Sequence, residues 1–215
     1  DVAAANIEWL RKQTHAHLHV DLIAGLPGED MATFAAGFDR LVGLAPHEIQ
    51  FGILKRLRGA PISRHTIEYG LRFNPDPPYN ILATNAVDFA TMQRLSRFSR
   101  YWDIVANSGR FSRTLALLLA EQPFACFLAF SDWLYERTGQ THALAHERLV
   151  HLVHEYLCAV DAANEAAVSA ALIADYQATG GRSRLRFEGG DGARESPRPR
   201  RKKATPSRQE RHLQG

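Results

Sequence analysis

Residues 19 to 29 read His19-Val20-Asp21-Leu22-Ile23-Ala24-Gly25-Leu26-Pro27-Gly28-Glu29. An apolar run that meets a cluster of Gly and Pro and is followed by helical periodicity predicts a buried strand, a tight turn and a helix. One carboxylate, Asp21, interrupts the strand. A carboxylate buried among apolar side chains is costly unless something binds it. Either the protein satisfies Asp21 internally or a ligand does, and the flanking sequence must supply the setting for one of these.

That setting alternates helix and strand up to about Arg58. Residues 7–13 read as the end of a helix, 17–24 as a strand, 30–44 as a helix and 48–55 as a second strand. Phe34, Phe38, Leu41 and Val42 form the apolar stripe of the helix, and Ala45-Pro46 ends it. Strand, helix and strand joined by short loops predict a right-handed βαβ unit with parallel strands. Beyond Gly59 the character changes. A short helix over 61–70 and a stiff loop around Asn74-Pro75-Asp76-Pro77-Pro78-Tyr79 precede a short strand over 79–84. Helices follow over 87–106, 110–120, 123–137, 142–162 and 165–178.

Alternation along the two strands separates an oily face from a mixed one. Leu18, Val20 and Leu22 share a face with Ile49, Phe51 and Ile53. His17, His19, Asp21 and Ile23 share the other with Glu48, Gln50, Gly52 and Leu54. A sealed core has no need of such a polar face, whereas a barrel lumen holding a polar ligand does. Sites in parallel barrels lie at the C-terminal ends of the strands, where Asp21, Ile23, Leu54 and Lys55 fall.

Charge divides the chain. The total is +3, but residues 182–215 carry eleven Lys/Arg against four Asp/Glu, so the remainder is acidic. That tail is rich in Gly, Pro and Arg and poor in apolar residues, and is expected to be disordered. No aromatic series alternates with its arginines as a stacking platform requires, so a solvated tail is expected rather than a nucleic-acid contact. Two isolated cysteines, Cys126 and Cys158, make neither a disulfide framework nor a metal motif and point to a reducing cytoplasm. No apolar run is long enough to cross a membrane. The chain opens without Met in a helical pattern, which is expected of a segment of a longer protein.

Two histidine series raise metal binding. His15, His17 and His19 alternate along the first strand, and His142, His146, His151 and His154 punctuate a helix. Neither series has the companion ligands or spacing of a known zinc motif; the pair around Glu147 is five residues apart rather than four. The first series is expected to fill a polar lumen and the second to form a solvated helix face. The turn Gly25-Leu26-Pro27-Gly28 lacks the Lys-Ser/Thr of a phosphate loop; its glycines suit a tight turn and close approach to a planar ligand.

Taken together, 21–29 resembles the fifth strand and following turn of the radical SAM superfamily, as also found in oxygen-independent coproporphyrinogen oxidases. Residues 49–55 then resemble the sixth strand. Three further stretches are similar to one subgroup: Leu54-Lys55-Arg56-Leu57-Arg58-Gly59-Ala60-Pro61-Ile62, Pro77-Pro78-Tyr79-Asn80-Ile81-Leu82-Ala83-Thr84 and Asn107-Ser108-Gly109-Arg110-Phe111. Its members carry an N-terminal cobalamin-binding domain and a helical C-terminal domain of unknown function. The resemblance implies a 4Fe–4S cluster, S-adenosylmethionine and, in this subgroup, cobalamin. It implies that Asp21 hydrogen-bonds the adenosyl moiety, that Ile23 packs on adenine, and that the backbone at Leu54 and Lys55 meets the adenine edge. Arg56 and Arg58 are candidates for an anionic substrate group.

The expected fold is α/β to mostly α. A partial radical-SAM-type (β/α) barrel over 1–59 is followed by a helical domain over 60–179 and a disordered basic tail over 180–215. The family's three-cysteine cluster run is not in this sequence. The chain is therefore expected to be the C-terminal segment of a radical SAM enzyme, inactive alone. Its partners are the rest of the barrel, the cobalamin domain and a small-molecule substrate, with no membrane or nucleic acid. The two strands by themselves, with open edges and half a core, are expected to be poorly stable. The competing readings are a helical interaction module with a basic tail and, more remotely, a zinc hydrolase built on His15, His17 and His19.

Overall fold

The structure, a computed structural model, describes residues 2–187. Helix α1 (Val2–Gln13) leads to β1 (His19–Ala24), α2 (Met31–Leu44) and β2 (Glu48–Ile53). The two strands pair in parallel, with His19 opposite Glu48, Asp21 opposite Gln50 and Ile23 opposite Gly52. Parallel neighbours need a crossover, and α2 provides it. Asp30 caps α2 by accepting from the Thr33 N–H at 2.8 Å, and Ala45 closes it in the left-handed region at φ 47°.

After β2 come a 3-10 turn (Pro61–His65) and the short antiparallel pair β3 (Arg72–Phe73) and β4 (Ile81–Ala83). Helix α3 (Phe89–Trp102) runs into a π turn (Asp103–Asn107), so the helix expected over 87–106 changes its winding in its last turn. Next are α4 (Leu115–Leu119), α5 (Pro123–Thr138), α6 (His146–Val160) and α7 (Glu165–Ala178). The architecture is mixed α/β and dominated by helix, and among the described residues there is no closed barrel. None of the described helices is long and apolar enough to cross a membrane.

The packing does not divide at residue 59. Phe34 and Phe38 of α2 and Phe51 of β2 meet Phe98 and Trp102 of α3 and Phe124 and Phe127 of α5 in one aromatic cluster, with ring centroids 4.9–6.4 Å apart. The helices after residue 60 thus supply the half of the core that the βαβ unit lacks. Trp102 and Trp133 are packing residues. Trp102 is buried, and Trp133 lies against Tyr156 with centroids 5.3 Å apart.

The free edge of β2 is closed as well. Leu18 and Ala24 accept from the N–H groups of Glu48 and Leu54, so the even-numbered residues of each strand face the neighbouring strand. The carbonyls of Ile49 and Phe51 therefore point outward, and side chains of the α3 region take them. Ser99 Oγ donates to Phe51 O at 2.6 Å, while Trp102 Nε1 and Asn107 Nδ2 both donate to Ile49 O at 3.0 Å. The expected instability of the strand pair is thereby corrected on this edge. On β1 the outward groups of His19, Asp21 and Ile23 have no strand partner among the described residues.

The stretch 182–187, assigned to the tail from sequence, packs against the helices. Leu185 is buried, and Phe187 stacks on His154 with ring planes 4° apart and centroids 3.9 Å apart. The remainder of the expected disordered tail lies outside the described residues.

Candidate functional site

A cleft of about 720 Å³ opens at the C-terminal ends of β1 and β2. The strands contribute Asp21, Ile23, Gln50, Gly52, Leu54 and Lys55 to it. All four site residues singled out from sequence thus meet at one place. The loop around the cis Pro77–Pro78 bond adds Pro78 and Asn80, and the α3 region adds Ser99, Arg100 and Asp103.

The premise that Asp21 is buried is corrected. His19, Asp21 and Ile23 are all exposed while Ala24 is buried, because among the described residues nothing covers the polar face of β1. Asp21 has neither a hydrogen bond nor an ion pair among the described residues, so folding makes no demand on its charge. Beside it, a Cβ on Gly52 would meet nothing nearer than Ile23 Cγ1 and Leu22 O, both at 3.9 Å. Gly52 therefore leaves open floor in the cleft rather than relieving an internal clash.

Leu54 and Lys55 differ in what their backbones have to offer. The Leu54 N–H donates to Ala24 O at 3.0 Å, and its carbonyl accepts from the Ile81 N–H at 2.8 Å. Lys55 sits in an isolated bridge with Asn80, and its N–H has no partner among the described residues. Arg56 lies over the Phe73 ring at 5.4 Å, and neither Arg56 nor Arg58 lines the cleft. The cations that do are Lys55 and Arg100, the latter brought from helix α3 across 45 residues of chain, beyond the reach of local sequence patterns.

The glycine turn is also corrected. Gly25 has φ +91°, and a Cβ there would lie 2.6 Å from Ile81 Cγ2. The close approach it permits is to β4, not to a planar ligand.

At the N-terminal ends of the strands, His17 Nδ1 lies 2.8 Å from His19 Nε2, and His19 Nδ1 lies 3.0 Å from Glu48 Oε2. His47 stacks on His17 and accepts from the Leu18 N–H at 2.9 Å. Among the described residues, His15, His17 and His19 do not form a metal-capable cluster with other His, Cys, Asp or Glu side chains. The α6 histidines are not a solvated face. His146 meets Phe111 and Tyr176, and His151 and His154 pack on Phe187. Burial pushes all three imidazoles below their usual pKa, helped by Arg110 at His146 and by Arg186 at His151.

Residues 67–189 match a family described as a protein of unknown function, DUF4080. The chain belongs to this family. The DUF4080 region contributes Pro78, Asn80, Ser99, Arg100 and Asp103 to the cleft, whereas β1 and β2 lie ahead of it. Among curated proteins, none matches the chain.

Proposed function

We propose that this cleft is the adenosyl-binding wall of an S-adenosylmethionine site in a radical SAM (β/α) barrel, and that the DUF4080 helices finish that barrel at its last strand. The observation that carries the proposal is the convergence of Asp21, Ile23, Gly52 and Lys55 on one open cleft beside a β1 edge that has no strand partner among the described residues. The residues suit a nucleoside. Asp21 is an unengaged acceptor for a ribose or adenine donor, Ile23 is an exposed apolar contact for the base, and Gly52 leaves space for it to lie flat. The unpartnered Lys55 N–H can donate to the adenine edge, while the occupied Leu54 backbone is the weaker partner. Lys55 and Arg100 favour an anionic group on the small-molecule substrate.

When bound, the cluster and S-adenosylmethionine supply one-electron reductive cleavage and a hydrogen-abstracting radical. The residues in this chain do not fit the 4Fe–4S cluster. Cys126 and Cys158 lie on α5 and α6, apart from the cleft, and thiolates hold such clusters. In this proposal the cluster ligands, the earlier strands and the cobalamin domain belong to the same parent protein, the β1 edge receives the preceding strand, and the chain alone is inactive.

The test uses the product of the whole reading frame that contains this chain, reconstituted anaerobically with iron and sulfide. It is expected to bind S-adenosylmethionine and release 5′-deoxyadenosine on reduction. Asp21→Ala should weaken binding about tenfold, the worth of one lost hydrogen bond. A reading frame that opens at Asp1 without a cysteine run, or unchanged binding in Asp21→Ala, would overturn the proposal in favour of a helical interaction module.

A further inference from the structure

Away from the cleft, the junction of α6 and α7 gathers three different metal-capable side chains. His154 and Cys158 stand one turn apart on α6, and Glu165 is the first residue of α7, after a 3-10 turn (Ala162–Asn164). One nitrogen of His154, the Cys158 sulfur and a Glu165 oxygen all lie within 4.8 Å of one another. Cys158 Sγ is 3.8 Å from His154 Nδ1 and 3.6 Å from Nε2. Sulfur and nitrogen bound to one tetrahedral zinc, at about 2.3 and 2.0–2.1 Å, stand about 3.5 Å from each other. The pair is therefore already near ligand spacing.

The surroundings add a second observation. Ser169 Oγ lies 3.0 Å from His154 Nε2. A hydroxyl holding that nitrogen's proton leaves Nδ1 as a lone-pair donor, which is how outer partners orient metal-bound histidines. Phe187 stacked on the ring fixes its plane. We propose that His154, Cys158 and Glu165 form a three-ligand zinc site, with a fourth position for water, that joins α6 to α7. Imidazole, thiolate and carboxylate together favour zinc over the hard cations magnesium and calcium. Burial and the Glu165 carboxylate push the Cys158 thiol up, so binding displaces a proton that the metal-free site retains. The site is separate from the cleft and does not depend on its assignment.

The test uses the full chain, reduced and stripped with chelator, then titrated with Zn²⁺ by calorimetry and with Co²⁺ by absorption. One equivalent of zinc per chain is expected, together with a thiolate-to-cobalt charge-transfer band in the near ultraviolet. Cys158→Ser should abolish the band and weaken zinc binding at least tenfold. Glu165→Gln, at an exposed position that does not threaten the fold, should weaken it several-fold. Binding without the band, a band that persists in Cys158→Ser, affinity unchanged in both variants, or no stoichiometric binding would each overturn the proposal.

Discussion

Asp175 and Asp21 are two carboxylates with opposite relations to the fold. Asp175 is 2% exposed and accepts from Ser112 Oγ, the N–H groups of Arg113 and Thr114, and Thr114 Oγ1 at 2.9–3.2 Å. It holds the turn that opens α4, which is why the helix expected over 110–120 begins only at Leu115. Asp175→Ala strands two backbone donors and two hydroxyls, and should cost about 3 kcal/mol, seen as a lower urea midpoint. Asp21→Ala in the same assay should change stability by less than about 0.5 kcal/mol, because an exposed and unpartnered carboxylate contributes little. A large loss there would mean that Asp21 serves folding after all.

Helix α3 acts as the edge cap of β2. Ser99→Ala removes the only side-chain donor to Phe51 O among the described residues and should cost about 1–2 kcal/mol. Trp102→Phe should cost less through hydrogen bonding alone, since Asn107 still donates to Ile49 O; a double-mutant cycle with Asn107→Ala measures how far the two donors substitute for each other. Helix α6 makes a different prediction. His146, His151 and His154 have folded pKa values depressed below 6.5. The unfolded chain therefore takes up protons first as pH falls, and stability present above about 6.5 is lost below it. Metal-free protein should show a urea midpoint that falls between pH 7 and 5.5, with a shallower slope in His151→Gln. Glu29 acts in the opposite sense at lower pH, because burial and the Asp30 carboxylate raise its folded pKa.

Across the whole molecule, the βαβ unit and the helices depend on each other. Asp39 of α2 accepts from the Phe124 N–H at 2.6 Å and so caps α5, whose own N-cap residue Gln122 makes no side-chain cap bond. Asp39→Ala should cost about 1–2 kcal/mol. The far end of the described chain is equally tied. Leu185→Ala should lose about 2–4 kcal/mol by opening a cavity beside the helices, and its effect should appear in the same cooperative transition as Asp39→Ala. Two separate unfolding transitions, each sensitive to one variant, would contradict a shared core.

The local periodicities in the sequence determined β1, α2, β2 and the long helices, because burial of one face writes apolar residues at two- or 3.6-residue spacing. They also determined which strand face carries Asp21 and Ile23, since alternation follows from the pleat. Tertiary structure decided the rest. Whether that face is buried depends on neighbours far along the chain, and among the described residues none covers it. The two-residue strand β3 is too short to have a period. Arg100 reaches the cleft, and Ser99, Trp102 and Asn107 reach β2, through a packing of α3 that no local pattern encodes. The meeting of His154, Cys158 and Glu165 likewise depends on how the 3-10 turn folds α7 back on α6. Spacing in sequence records what each element must bury, while contacts between elements depend on how they pack.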